Sequence, residues 1–328
     1  MSQANGSGHA SERPRLGYPE PQGASHGAGT PAPSERADGD GWHLWVAGAR
    51  PRTLGAAVSP VLVGTAAAHG DGGAISWGRA ALALMVAVGL QIGVNYSNDY
   101  SDGVRGTDTD REGPVRLTAS GLASPGAVRL AALLAFAVAA VAGLVLAVLV
   151  SLWLLLVGVA AIAAAVLYTG GPRPYGYIGL GEVMVLIFFG VVATTGSAFV
   201  QLERVPAAAW WGSLVVGLLA CAILLANNVR DLAGDRLAGK LTLAVRLGDH
   251  LARRIYVGCV AGAFAAIVPI ALDAPWALIA LLATPLAIVT VRRLLAAATP
   301  GALVRVLVAT ARLEIVTAAL LSVGLWVS

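Results

Sequence analysis

Two stretches of this chain set carboxylates and side-chain amides at helical spacing next to strongly apolar sequence. In the first, Gln91, Asn95, Asn98 and Asp102 stand at i, i+4, i+7 and i+11, one stripe along one helix face. In the second, Asn227, Asp231 and Asp235 follow at four-residue steps, and Asn228 lies three before Asp231. The pattern Asn-x-x-x-Asp therefore occurs twice, at Asn98/Asp102 and Asn227/Asp231, as in two related halves that face each other. In lipid such a stripe is costly unless it faces a cavity or polar partners.

Carboxylate and amide oxygens are hard ligands suited to Mg²⁺, which keeps waters and bridges protein carboxylates to phosphate oxygens. Asn98, Asp102, Asp231 and Asp235 are the candidate metal ligands, and Arg116, Arg230, Lys240 and Arg246 are candidate cations for remaining phosphate charge. Two acidic clusters would repel each other, whereas clusters bridged through metal to a diphosphate would not. Either cluster alone reads more readily as a solvated acidic loop, since acids at i, i+4 are common. Two clusters that each continue an amide stripe, each followed by Arg or Lys, argue against that. Tyr175 and Tyr177 fit interfacial anchoring as well as catalysis, while Tyr168 ends an apolar run and is placed toward the cavity.

The elements that position these residues are membrane spans. The 328 residues are 57% hydrophobic and 12% charged, with mean hydropathy +0.75. A soluble chain carries about 25% charged residues, so the long apolar runs face lipid. The expected fold is an all-α polytopic bundle of about nine transmembrane helices. They are placed near 53–70, 79–99, 127–148, 150–168, 180–201, 207–228, 254–272, 275–291 and 306–327. Arg312 and Glu314 interrupt the ninth near its start, where they can snorkel or pair. Residues 1–40, rich in Gly, Ser and Pro, read as a disordered tail without signal-peptide character, and 41–328 as the membrane domain. Trp42 to Trp45, beside Arg50 and Arg52, read as a short interfacial helix.

If the tail is cytoplasmic, 20 of the 22 Lys and Arg residues fall on that side, and only Arg79 and Arg204 fall outside. That bias places the N-terminus inside, the C-terminus outside, and both acidic loops in the cytoplasm. The net charge of +4 is thus a topology signal, and no nucleic-acid face is expected. Cys221 and Cys259 lie in apolar runs and read as small hydrophobes, and the scattered histidines offer no zinc site. A cation-coupled transporter is the rival from another class, but it would carry its acids deep in broken helices.

At these residues the chain resembles the UbiA-type intramembrane aromatic prenyltransferases, over nearly all of 42–328. Asn98-Asp99-Tyr100-Ser101-Asp102 is similar to that family's first Asp-rich motif, and Asp231 to Asp235 to its second. The common pattern has a further Asp four residues after Asp102; here Gly106 stands there and the acid comes at Asp108. That shift resembles the dihydroxynaphthoate polyprenyltransferase branch, the menaquinone enzymes. So do ARPRT (49–53), YTGGPRPYGY (168–177) with GLGE (179–182), and GKLTLAVRLG (239–248). The resemblance implies nine helices and Mg²⁺ held by Asn98, Asp102, Asp231 and Asp235. It implies substrate binding by Arg50, Arg116, Asn227 and Lys240, with Asp99, Asp108 and Tyr168 catalytic. Arg50 or Arg52 would hold a ring carboxylate. The implied reaction moves a polyprenyl group from its diphosphate to 1,4-dihydroxy-2-naphthoate with loss of CO₂, giving demethylmenaquinone. The expected setting is the cell membrane, with the lipid bilayer taking up the product and no obligatory protein partner. 4-Hydroxybenzoate, homogentisate and haem are the alternative acceptors.

Overall fold

A computed structural model describes residues 41–106 and 116–328, besides Met1. The expected tail therefore lies outside the described residues apart from Met1, and so does Asp108. The described residues form helices and no strand.

Helix α1 (Gly41–Ala49) is the expected interfacial helix, with Trp42 64% exposed. It docks through Trp45, whose carbonyl accepts the Tyr96 hydroxyl at 2.6 Å. Each of the nine expected spans has a helical counterpart. They are α2 (Gly55–Gly70), α3 (Trp77–Arg105), α4 (Pro125–Leu149), α5 (Trp153–Leu167), and α6 (Gly181–Val185) continuing into α7 (Ala193–Leu202). Next come α8 (Ala207–Arg230), the short α9 (Leu232–Leu237) and α10 (Leu243–Leu247), then α11 (Asp249–Ala265) with α12 (Ile267–Asp273). A 3₁₀ stretch over Pro275–Ala283 leads into α13 (Thr284–Ala296), and α14 (Pro300–Val327) closes the bundle. Seven of these rods are long and apolar enough to cross a membrane, while α2 and α5 are shorter, at 16 and 15 residues.

Local sequence sets the ends. Ser76, Ser124 and Thr299 cap α3, α4 and α14 by accepting a backbone N–H, and Pro125 and Pro300 occupy first-turn positions that need no donor. Gly106, at φ 69°, ends α3 in the left-handed region that a helix C-terminus favours. Two edges differ from expectation. Helix α3 runs on to Arg105 rather than stopping near 99, because nothing before Gly106 breaks it, so Asp102 is helical and not in a loop. Helix α14 starts at Pro300 rather than 306, which carries Glu314 to mid-helix. There it is fully buried, and neither carboxyl oxygen has a hydrogen bond among the described residues, so the expected pairing is not found.

Helix α8 forms the centre, packed against α11, α14 and the segment between α6 and α7, while α3 lies along α4 and α2 along α14. Leu219, Leu225, Tyr256, Leu294 and Leu313 fill one core, and Tyr256 shares a 2.7 Å hydrogen bond with Thr310. Between α6 and α7, Leu186–Val192 is a π-helix. Its wide turn keeps adjacent pairs such as Phe188/Phe189 and Val192/Ala193 on one wall. Gly190 makes this possible: a Cβ there would meet the Gly217 backbone of α8 at 2.8 Å.

Candidate active site

Helices α2, α3 and α5, the α6–α7 rod and the end of α8 enclose a cavity of about 360 Å³. It reaches from Asp102 to Ala83 along α3, roughly 28 Å at about 1.5 Å per residue. Its long walls are apolar, with Val86, Leu90 and Val94 from α3, Val157 and Ala161 from α5, and Phe188 and Phe189 from the π-helix. Its polar groups gather where α3 and α8 end, and all four members of the α3 stripe, Gln91, Asn95, Asn98 and Asp102, line it.

Asp102 is 3% exposed, and its Oδ1 joins three segments of chain. Lys240, from the loop after α9, places Nζ 2.8 Å away, and the Tyr177 hydroxyl donates to the same oxygen at 2.7 Å. Lys240 also lies over the Tyr177 ring, 4.8 Å from its centroid, and Arg105 lies over the same ring at 5.4 Å. The Leu241 N–H donates to the Tyr177 carbonyl at 2.9 Å, and Thr169 Oγ1 donates to Asn98 Oδ1 at 2.8 Å. The loop 168–180 thus ties the first acidic cluster to the segment that follows the second. Burial, and then the Asp102 carboxylate, raise the Tyr177 phenol above its usual range, so it stays a proton donor at neutral pH. Burial pushes Tyr175 up to about 12, and its hydroxyl donates to the Ala164 carbonyl at 2.8 Å.

The second cluster is held locally. Arg230 donates to both oxygens of Asp231, at 2.7 and 2.6 Å, and to Asn227 Oδ1 at 2.8 Å, while Asn227 Nδ2 donates to Asp231 at 3.2 Å. Asp235, one turn on, lines the cavity, as do Asn227, Asn228 and Lys240; Asp231 does not. Of the four expected cations, Arg116 and Lys240 line the cavity. Arg230 is engaged with Asp231, and Arg246 donates to the Leu241 carbonyl at 3.1 Å.

Arg50 lines the cavity from the α1–α2 junction in a left-handed backbone, φ 55° and ψ 66°, unusual for a residue with a side chain. Asn95 Nδ2 donates to the Ala49 carbonyl at 2.9 Å, and Thr53 Oγ1 to the Arg50 carbonyl at 3.0 Å, fixing that turn. Tyr168 lines the cavity edge-on to Tyr175, with ring centroids 5.4 Å apart.

Asp99 stands elsewhere. Its two oxygens accept the Leu117 and Thr118 N–H groups at 2.8 and 2.9 Å, and it does not line the cavity. One residue past Asn98 is about 100° around the helix, so Asp99 faces the returning loop and anchors it rather than reaching the reaction space. Sequence reasoning gave no role to Thr169, Arg105, Glu182 or Asn228, although Asn228 stands in the second cluster and Thr169 and Glu182 in stretches that carry the resemblance. The first two sit beside residues it singled out, but their partners belong to distant segments.

The sequence matches the UbiA prenyltransferase family over residues 57–316. The chain belongs to the UbiA prenyltransferase family. It is 52% identical over 244 residues to the 1,4-dihydroxy-2-naphthoate octaprenyltransferase of Mycobacterium tuberculosis, covering 74% of this chain and 83% of that one. To the Escherichia coli protein of the same name it is 36% identical over 294 residues, covering 87% and 95%. A UbiA homologue from Aeropyrum pernix shares the fold with a TM-score of 0.65 at 17% identity, over 83% of this chain and 97% of that one. A homologue from Archaeoglobus fulgidus, solved with DMAPP and Mg²⁺, gives 0.58 at 17%, over 85% and 99%. As in the rest of its family, then, this is a multi-pass membrane protein.

The donors at the polar end fit a hard divalent ion. Asn98, Asp102 and Asp235 bring oxygen ligands, and among the described residues no thiol or imidazole lines the cavity.

Proposed function

We propose that this protein transfers a polyprenyl group from its diphosphate to 1,4-dihydroxy-2-naphthoate, releasing diphosphate and CO₂. The product is demethylmenaquinone, formed as the quinol. The observation that carries this reading is a buried set of carboxylates, amides and cations at one end of a long apolar cavity. The acceptor follows from the relatives named for it.

Asn98, Asp102 and Asp235 would hold Mg²⁺, with Asp231 supporting the second cluster through Arg230. Bound there, the ion would neutralise diphosphate charge and ease departure of the leaving group. Lys240 and Arg116 oppose the remaining phosphate charge, and Tyr177 holds Asp102 in place. The C–O bond to diphosphate breaks, and a C–C bond forms between the allylic carbon and the carboxyl-bearing ring carbon. Loss of that carboxyl group as CO₂ then restores aromaticity. The apolar walls contain the tail and exclude water that would capture the allylic cation. Arg50, held by its strained turn, faces the acceptor carboxylate, and Tyr168 borders the same space. Asp108, outside the described residues, keeps the catalytic role implied by its motif.

The Lys and Arg bias supports a cell-membrane orientation with the N-terminus and both acidic loops in the cytoplasm and the C-terminus outside. Reporter fusions after Gly121, Leu247 and Ser328 check this, and a cytoplasmic signal at Ser328 would refute it. For the chemistry, purified protein receives a polyprenyl diphosphate and a panel of ring acceptors, with Mg²⁺ or with chelator. Diphosphate release that needs both Mg²⁺ and dihydroxynaphthoate is expected. Preference for 4-hydroxybenzoate would overturn the acceptor, and release of no diphosphate would overturn the reaction.

A further inference from the structure

One buried acid has no part in the chemistry above. Glu182 opens α6 just behind the cavity wall and is 7% exposed. Its Oε1 accepts a hydrogen bond from Asn228 Nδ2 at 2.9 Å, and its backbone carbonyl accepts the Cys221 thiol at 3.2 Å. Cys221 and Asn228 are seven residues apart, two turns on one face of α8, so the start of α6 is fastened to α8 at two points. Glu182 itself does not line the cavity, but Asn228 does.

The two neighbouring asparagines differ in what they offer. Asn227 has both polar atoms engaged, Oδ1 by Arg230 and Nδ2 by Asp231. Asn228 turns Nδ2 back to Glu182, which leaves Oδ1 as its polar atom toward the cavity. An Asn amide can present its oxygen or its NH₂ with nearly equal shape. Glu182 Oε1 accepts here, and an acceptor pairs only with the NH₂, so Glu182 selects that group and sends the oxygen the other way. The arrangement is costly, because Glu182 Oε2 is buried without a hydrogen-bond partner among the described residues. A cost of that kind calls for an explanation beyond packing.

We infer that Glu182 is a positioning residue that turns the Asn228 side-chain carbonyl into the cavity as a further oxygen ligand for the metal that holds the diphosphate. This rests on the function proposed above. Had the NH₂ faced inward, it would oppose a cation at the end of the cavity where Asn98, Asp102 and Asp235 gather.

The test uses Mn²⁺ as probe, its binding to the purified full-length protein followed by electron paramagnetic resonance with and without an unreactive prenyl thiodiphosphate. Glu182→Leu frees the Asn228 amide to turn and should weaken Mn²⁺ binding by about tenfold, the usual scale for losing a partner behind a ligand. Glu182→Gln should recover most of that, since its carbonyl still accepts. Asn228→Asp alone sets two carboxylates against each other and should also weaken binding. Adding Glu182→Gln to it restores a donor–acceptor pair with reversed sense, leaves a carboxylate oxygen toward the cavity, and should bind Mn²⁺ at least as tightly as wild type. Thermal melting confirms that each variant is folded. Wild-type affinity in Glu182→Leu, or a double variant no tighter than Asn228→Asp, overturns the inference and leaves the proposed reaction standing. Wild-type protein that binds no Mn²⁺ even with the thiodiphosphate overturns both.

Discussion

Asp102 and Asp231 occupy matching places in the repeated Asn-x-x-x-Asp pattern, yet the contacts that hold them differ in origin. Asp231 is held by its own neighbours, Arg230 and Asn227, all within one turn of the end of α8. Asp102 is held by Lys240 and Tyr177, which lie far away along the chain and come from two different loops. These contacts of the second cluster are all local to the end of α8. The first is complete only once three segments have folded against one another. Asp102 also faces the cavity, whereas in the second cluster that position falls to Asp235. Matching sequence patterns thus stand in unlike surroundings, with one acid lining the cavity and its counterpart paired with an arginine.

The contrast can be broken by exchanging the two acids. Asp102→Asn keeps the shape but removes an anionic ligand, so turnover should fall by at least about a hundredfold, roughly 2.7 kcal/mol. Asp231→Asn should cost only about tenfold in turnover, roughly 1.4 kcal/mol, and should lower the melting midpoint because the buried Arg230 loses its counter-charge. A hundredfold loss at Asp231 with the midpoint unchanged would make the clusters equivalent. Tyr177→Phe sharpens the comparison, since it removes only the hydrogen bond brought by the third loop. A loss of about fivefold to tenfold, about 1.0–1.4 kcal/mol, is expected in kcat/KM for the diphosphate substrate; unchanged kinetics would show that this loop adds nothing to Asp102. The smallest effect on turnover is expected at Asp99. Asp99→Ala strands two backbone N–H groups and should reduce stability by about 1–3 kcal/mol while sparing most activity. A hundredfold loss of turnover at full stability would return Asp99 to the catalytic set.

What was legible in the sequence follows the same division. Apolar run length marked out the helical rods, and helical arithmetic put Gln91, Asn95, Asn98 and Asp102 on one face, because both depend on near neighbours. The same arithmetic, applied to Asp99, turns it away from Asn98, although its motif alone makes it look catalytic. Lys240 could be named as a phosphate-side cation, but its partner Asp102 is reached only through the tertiary fold. Tyr177 stayed open between anchor and site because the sequence around it matches both, and only contact with Asp102 separates them. Glu182 stood in the GLGE stretch without a role of its own, since an acid near a helix start is ordinary until Asn228 is found across from it. The extra turns of α3 and α14 were missed because their polar residues looked like loop and helix edge, when each continues a helix already nucleated by apolar packing.

Prenyl transfer and loss of the acceptor carboxyl group should be joined one to one. Purified protein is given 1,4-dihydroxy-2-naphthoate labelled in the carboxyl carbon, a polyprenyl diphosphate and Mg²⁺, and labelled CO₂ is counted against prenylated product. Attack at the carboxyl-bearing carbon destroys aromaticity that only loss of CO₂ restores, so one labelled CO₂ should appear for each prenyl group transferred. Prenylated product that keeps its label would show that transfer does not occur at the carboxyl-bearing carbon.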